Sequence, residues 1–340
     1  MKKLFNLVNR DVLKAKILED KTERTTLSFY RYKKIDQPEV YRNELYEQFD
    51  AIGVLGRIYV AQEGINGQIS VPSEHLDQFR GLMEQLGYND LRLNIAIEDD
   101  GKSFIKLKIK VREKIVADGL DDETFDASDR GTHINAAEFN ELTAQENTIV
   151  VDMRNHYETE VGHFENAICP DVTTFRESLP IVEDILDEHR EKNIVMYCTG
   201  GIRCEKASAY FKHKGFENVF QLDGGIIEYA RQVKAQELNN KFVGKNFVFD
   251  ERMGERISDD VIAKCHQCGS PADTHINCAN DACHLLFIQC ENCSKKYESC
   301  CSDDCKDFNQ LPEEEQIEKR KTMSFKGSKF AKGRYKSYRP

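Results

Sequence analysis

A chain of 340 residues, 40% of them hydrophobic, is too long for one core and apolar enough to build two or three packed domains. The net charge of −11 argues against a broad basic face for nucleic acid. No apolar run approaches the length of a membrane helix, and the start Met1-Lys2-Lys3-Leu4-Phe5-Asn6 lacks the apolar stretch of a secretion signal, so a cytoplasmic protein away from membranes is expected.

Residues 1–24 are charged and mixed and read as a frayed lead-in. Residues 25–35 follow as a strand, then residues 38–51 as a helix opened by Pro38. Strands at 56–61 and 68–71 flank Glu63-Gly64-Ile65-Asn66-Gly67, where Asn66-Gly67 is a hairpin signal. Ser73 is placed to cap a helix to residue 86, with Leu76, Phe79, Leu82, Met83 and Leu86 on one face. Residues 91–97 and 104–111 alternate as strands. The order βαββαβ with one extra strand predicts a ferredoxin-like (acylphosphatase-like) domain over 1–117. Phe29, Tyr30, Arg31 and Tyr32 could form an RNA-stacking face, although aromatic residues on strands more often belong to the core.

Residues 118–130 are acidic and aperiodic and read as a linker. From His133 strands and helices alternate: helices at 136–143, 181–190, 204–214 and 225–232, and strands at 148–152, 194–197 and 219–222. Short apolar strands between helices predict an α/β domain over 131–238, with a parallel sheet covered on both faces. Sites in such sheets lie beyond the strand C-termini. Asp152, Cys198 and the Asp223-Gly224-Gly225 turn fall on that edge.

The stretch Cys198-Thr199-Gly200-Gly201-Ile202-Arg203-Cys204 lies between a strand and a helix start. A thiol there meets backbone N–H groups and the positive end of the helix dipole, which favour the nucleophilic thiolate. The glycines let the loop turn its N–H groups inward as an anion cradle; the plainer alternative is a buried core cysteine. Asp152-Met153-Arg154, Glu158, Gly162-His163-Phe164, Ala167-Ile168, this loop and Leu222-Asp223-Gly224-Gly225-Ile226 resemble a rhodanese domain in order and spacing. Rhodaneses hold a persulfide on the loop cysteine. Four residues separate Cys198 from Arg203, one fewer than in cysteine phosphatases, which suits a single sulfur better than a phosphate. Asn166 and Tyr229 depart from the usual glycine and tryptophan.

Nine of the twelve cysteines lie between Cys265 and Cys305, in a segment spanning 239–310. Cys265, Cys268, Cys290 and Cys293 form two C-x-x-C pairs, a strong structural-zinc signal. Cys278 and Cys283 fit a second site with two of Cys300, Cys301 and Cys305, and His266, His275 and His284 are available substitutes. An iron–sulfur cluster or free thiols are the alternatives. Residues 311–340 form a tail. From residue 319 onward it carries nine Lys/Arg and no Asp/Glu, which leaves −20 on the rest of the chain. Phe325, Phe330 and Tyr335 recur among Lys326, Lys329, Lys332 and Arg334, a composition suited to RNA phosphates and unpaired bases, or else to a solvated tail.

Together with the phrase Val60-Ala61-Gln62-Glu63-Gly64-Ile65-Asn66-Gly67, these features resemble the bacterial tRNA uridine hydroxylase family, from about residue 27 to residue 305. The resemblance implies tRNA as partner, molecular oxygen as co-substrate and 5-hydroxyuridine at the wobble position as product. It implies Cys198 as the catalytic cysteine, with or without a persulfide, and Arg203 lining the cradle. Asp152 and Arg154 would brace the loop or contact substrate. Cys204 either resolves an oxidised Cys198 as a disulfide or, the preferred reading, faces away along the helix. A persulfide sulfurtransferase acting on a thiol or RNA, and a non-catalytic zinc-bearing RNA-binding module, are the rival readings.

Overall fold

A computed structural model describes residues 4, 6, 8–99, 101–120 and 128–321. The tail residues Lys326, Lys329, Phe330, Lys332, Arg334 and Tyr335 lie outside the described residues, as does most of the expected linker.

The lead-in is not frayed throughout: it forms helix α1 (Arg10–Glu19), anchored by buried Leu13 and Ile17 at i, i+4. Then come β1 (Arg24–Tyr32), α2 (Pro38–Ala51), β2 (Leu55–Ala61), β3 (Gly64–Pro72), α3 (Leu76–Gln85), β4 (Asn94–Ile95) and β5 (Leu107–Val111). The sheet order is β4-β1-β3-β2-β5, a ferredoxin-like arrangement in which the added β5 runs parallel to β2. Inward positions of the strands pack on the helices, with Phe79 5.8 Å from Phe29 and 5.4 Å from Phe49 between ring centroids. The other face is left uncovered by this domain's own helices.

Two local expectations fail here for identifiable reasons. Asn66-Gly67 is not a turn: Ala61 pairs with Gly64, so Gln62 and Glu63 form the hairpin loop. A Cβ on Gly67 would fall 2.5 Å from the Phe29 ring, so this glycine makes room for core packing inside a strand. Ser73 does not cap α3. It opens a 3-10 turn, Ser73–His75, and its hydroxyl meets that of Thr25 at 3.0 Å.

The second domain runs β6 (Thr132–Ile134), α4 (Ala136–Leu142), β7 (Thr148–Asp152), α5 (His156–Thr159), β8 (Gly162–Phe164), α6 (Phe175–Leu186), β9 (Asn193–Tyr197), α7 (Ile202–His213), β10 (Val219–Leu222) and α8 (Gly225–Gln236). Strands β6-β10-β9-β7 form a parallel sheet. Phe175, Leu179 and Val182 of α6 and Phe211 of α7 cover one face; Phe139 of α4 and Tyr229 of α8 cover the other. Helix α6 starts before the expected boundary because Glu177 accepts the backbone N–H groups of Thr173 and Thr174, and the helix runs through Pro180. Asn166 sits at φ +58°, a left-handed position that asparagine tolerates best after glycine, so that departure keeps the turn.

The chain returns as β11 (Phe242–Asn246) and β12 (Glu255–Arg256) beside β8, then builds a small cysteine-rich module from β13 (His275–Asn277), β14 (Leu286–Ile288), α9 (Glu291–Tyr297) and α10 (Asp303–Asn309), followed by α11 (Glu313–Arg320). Among the described residues no helix is long and apolar enough to cross a membrane.

Candidate active site

Strand β9 delivers Cys198 just beyond its last residue, and α7 begins four residues later. Gly201 caps α7 at φ +97°, a left-handed conformation that costs glycine little. Its N–H donates to Cys198 Sγ at 3.2 Å. Behind the loop, Gly225 (φ +65°) packs so closely that a Cβ would stand 2.4 Å from the Cys198 carbonyl oxygen. That carbonyl accepts the Ile226 N–H at 3.0 Å, so the α8 turn fixes the backbone of the nucleophile.

Cys198 is fully buried. Burial alone would push its thiol up, but the Cys204 thiol, the Arg203 charge and the N–H groups of Cys204 and Arg203 outweigh it and lower it to about 6. The thiolate therefore predominates at neutral pH. The expectation that Cys204 faces away is overturned. It is fully buried in the first turn of α7, both cysteines are free thiols with that of Cys204 hydrogen-bonded to Cys198, and burial together with that contact pushes it well above the ordinary thiol range. In that turn side chains lean back over the helix N-terminus, where Cys198 sits. Arg203 lies along the loop. Its guanidinium makes a two-pronged ion pair with buried Glu158 at 2.7 and 2.8 Å and reaches Thr199 Oγ1 at 3.4 Å.

Asp152 and Arg154 do not reach the cavity. Both are fully buried, paired at 2.7 Å through Arg154 Nη2, and the same nitrogen donates to the Gly162 carbonyl at 2.6 Å. Substrate contact by this pair is thereby corrected to a brace that ties the end of β7 to β8 behind the loop.

The open face of the first domain's sheet forms a roof over Cys198. Tyr30 Oη donates to Glu205 Oε1 at 2.9 Å, His133 meets the same oxygen at 3.1 Å, and Arg130 donates to Oε2 at 2.6 Å. Burial would raise the Glu205 carboxyl, but His133 and Arg130 keep it below the ordinary range. Lys206, 1% exposed, joins Glu63 at 2.9 Å and Asp118 at 2.6 Å, so the first residue of the expected linker is built into the domain interface. Arg92 grips Asp223 with both terminal nitrogens, and Asn94 Nδ2 donates to the Gly200 carbonyl at 3.3 Å.

Between roof and loop lies a cavity of about 1070 Å³. Cys198, Thr199, Gly200, Ile202 and Arg203 line one side; Tyr30, Arg57, Tyr59, Lys108 and Lys110 line the other. Of the aromatic run at 29–32, Phe29 belongs to the core, Tyr30 lines the cavity, Arg31 donates to the Asn89 and Asp90 carbonyls, and Lys206 lies over the Tyr32 ring. The roof carries cations that the acidic balance of the whole chain conceals. The signal was legible: Lys106, Lys108, Lys110 and Arg112 recur at every second residue through β5 and the residues flanking it, the period of one strand face.

The cysteine-rich module gathers two quartets. Cys265, Cys268, Cys290 and Cys293 form one, Cys278, Cys283, Cys301 and Cys305 the other, with the sulfurs of each within 4.8 Å of one another. Separations of 3.6 Å for Cys268–Cys290, 3.7 Å for Cys283–Cys301 and 3.6 Å for Cys301–Cys305 approach the roughly 3.8 Å edge of a tetrahedron with 2.3 Å zinc–sulfur bonds, and far exceed a disulfide. The donor set fits a tetrahedral soft-ligand ion. Cys300, expected as a candidate ligand, is not one. Its carbonyl is held by Gln267 and Gln289, its side chain packs in the module's core, and the next residue, Cys301, turns to the metal position instead. The three histidines stay outside the quartets: His266 pairs with Glu160 at 2.7 Å, His275 stacks edge-on at 5.0 Å from Phe247, and His284 lies 3.6 Å from Asp281.

Residues 24–115 match the family described as UPF0176 acylphosphatase like domain, residues 135–232 the Rhodanese-like domain, and residues 243–306 the family described as Rhodanase C-terminal. A protein of Pectobacterium carotovorum subsp. carotovorum named tRNA uridine(34) hydroxylase is 59% identical over 92% of this chain and 89% of its own length. Proteins of the same name from Yersinia enterocolitica and Photorhabdus laumondii are 57% and 55% identical, over 93% and 98% of this chain and 91% and 95% of theirs. At that identity and coverage the chain belongs to the tRNA uridine(34) hydroxylase family.

Proposed function

We propose that the protein converts the wobble uridine of tRNA to 5-hydroxyuridine in the cytoplasm, with molecular oxygen as co-substrate. The observation that carries this reading is a cysteine whose sulfur accepts the Gly201 N–H at 3.2 Å in a glycine loop, facing a cavity of about 1070 Å³ with a cationic roof. The relatives' shared name supports the reaction, and the two quartets are read as structural zinc sites.

In this scheme the Cys198 thiolate adds to carbon 6 of uracil, opening the C5–C6 double bond and making carbon 5 nucleophilic. Carbon 5 takes one atom of O2, and an external two-electron donor reduces the other to water. Loss of the carbon 5 proton then expels the thiolate and restores the double bond. The N–H groups of Gly201, Arg203 and Cys204 hold the thiolate before attack. Arg203, anchored by Glu158, keeps positive charge along the loop. Tyr30 and the sheet face close the site from above and limit water at the reacting carbons.

Nucleoside mass spectrometry of tRNA from cells lacking the gene, complemented with wild type or Cys198→Ser, tests it. Wild type restores 5-hydroxyuridine-derived nucleosides and Cys198→Ser does not. Restoration by Cys198→Ser, or loss of a thiolated base in place of a hydroxylated one, defeats the reading; the latter outcome identifies a sulfurtransferase.

A further inference from the structure

β5 and β2 run side by side with Arg57 opposite Lys108 and Tyr59 opposite Lys110. Because side chains alternate along a strand, Ile58, Leu107 and Ile109 enter the core while these four emerge together on the open face. Among the described residues no carboxylate stands within ion-pair distance of the Lys108 or Lys110 ammonium. The Lys108 ammonium is held below its ordinary range by partial burial and by the like charges of Lys110, Arg57 and Lys106. Like charges on one face repel, and the two lysine ammonium groups meet no carboxylate among the described residues. In a chain whose body is strongly acidic, such a cluster selects an anion arriving from outside.

We propose that this face binds the sugar–phosphate backbone of a single-stranded RNA loop, next to the base presented to Cys198. The assignment rests on the tRNA reading above and moves the main RNA contact from the C-terminal tail to the roof of the cavity. Tyr59, whose ring lies 5.5 Å from the Arg112 guanidinium, offers a flat surface for an unpaired base beside the phosphates. A duplex would not fit this geometry: the cations line a cavity wall rather than a convex surface, and an unpaired loop can splay a base toward the thiol while its backbone stays on the lysines.

The test is the affinity of an RNA hairpin carrying a substrate anticodon loop, measured by fluorescence anisotropy across a salt series. Four full-length proteins are compared: wild type, Lys108→Gln/Lys110→Gln, Lys108→Arg/Lys110→Arg, and a tail variant with Lys326, Lys329 and Lys332 changed to Gln. The Gln pair is expected to weaken binding about 10-fold and to flatten the log–log salt slope by about 1.4, two phosphate contacts at roughly 0.7 each. The Arg pair keeps wild-type affinity, and an unchanged thermal midpoint shows that the fold is intact. If wild type hydroxylates tRNA while the Gln pair binds with wild-type affinity and slope, or if only the tail variant loses binding, the assignment is overturned alone. If wild type neither binds the hairpin nor hydroxylates tRNA, the tRNA reading falls and takes this assignment with it.

Discussion

The hydroxyl of Tyr30, on the first domain's sheet, donates to the carboxylate of Glu205, on the helix that begins at the Cys198 loop, at 2.9 Å across the domain interface. Tyr30→Phe removes the donor and leaves Arg130 and His133 as the partners of a buried carboxylate. The expected cost is about 1.5–3 kcal/mol, the range for a hydrogen bond to a charged group, read as a lower urea midpoint. Turnover should fall as the roof loosens, while the alkylation rate of Cys198 by iodoacetamide stays near wild type. A midpoint identical to wild type would show that the contact does not hold the domains together.

Thiol alkylation also reports the state of Cys198 directly. Only the thiolate reacts, so the rate should rise through a midpoint near pH 6 and be flat from neutral pH upward. Cys204→Ala deletes the foremost stabilising partner of that thiolate. The midpoint should then move upward by about one to two units, the equivalent of one hydrogen bond to a charged atom. A profile rising near pH 8.5 in the wild type would contradict the cradle geometry.

Gly225 is wedged against the Cys198 carbonyl at positive φ. Gly225→Ala combines backbone strain of roughly 1–3 kcal/mol with a steric conflict against main chain, which cannot rotate away. Lower thermal stability and slower Cys198 alkylation should appear together. An alanine variant with wild-type values for both would mean the loop can shift freely.

The quartets make a stoichiometric prediction. Elemental analysis of purified protein should give two zinc ions per chain. Cys301→Ser should lower that number, whereas Cys300→Ser, one residue away, should leave it unchanged because Cys300 belongs to neither quartet. Equal loss in the two variants would contradict the ligand assignment.

What could be read from the residues was what depends on near neighbours in the chain. The Cys198 loop, the parallel strands around it and the C-x-x-C pairs are short-range patterns whose spacing carries the chemistry. The errors lie where a distant residue decides. Asn66-Gly67 has the composition of a turn, but the Phe29 ring claims the space above Gly67. Cys300 and Cys301 are chemically equivalent in sequence, and what tells them apart comes from elsewhere in the chain: Gln267 and Gln289 hold the Cys300 carbonyl, and the Cys301 N–H meets Cys278 Sγ. The roof over Cys198 is the extreme case, since Tyr30 and Glu205 are 175 residues apart. Its cationic face, by contrast, is written locally in the alternation at 106–112, where charge concentrates on one strand face of an acidic chain.

The two quartets interleave. Ligand pairs at 265/268 and 290/293 close one loop of chain, and those at 278/283 and 301/305 close another that overlaps it. Neither loop can open without loosening the span they share, so the module behaves as a double lock rather than two separate clasps. Its first lock carries His266, which grips Glu160 at 2.7 Å, and two residues before Glu160 stands Glu158, the anchor of Arg203. A mechanical lever thus runs from the first quartet through α5 to the nucleophile's loop, so that opening that quartet, which no strand of the Cys198 sheet carries, would be felt at the reactive sulfur itself.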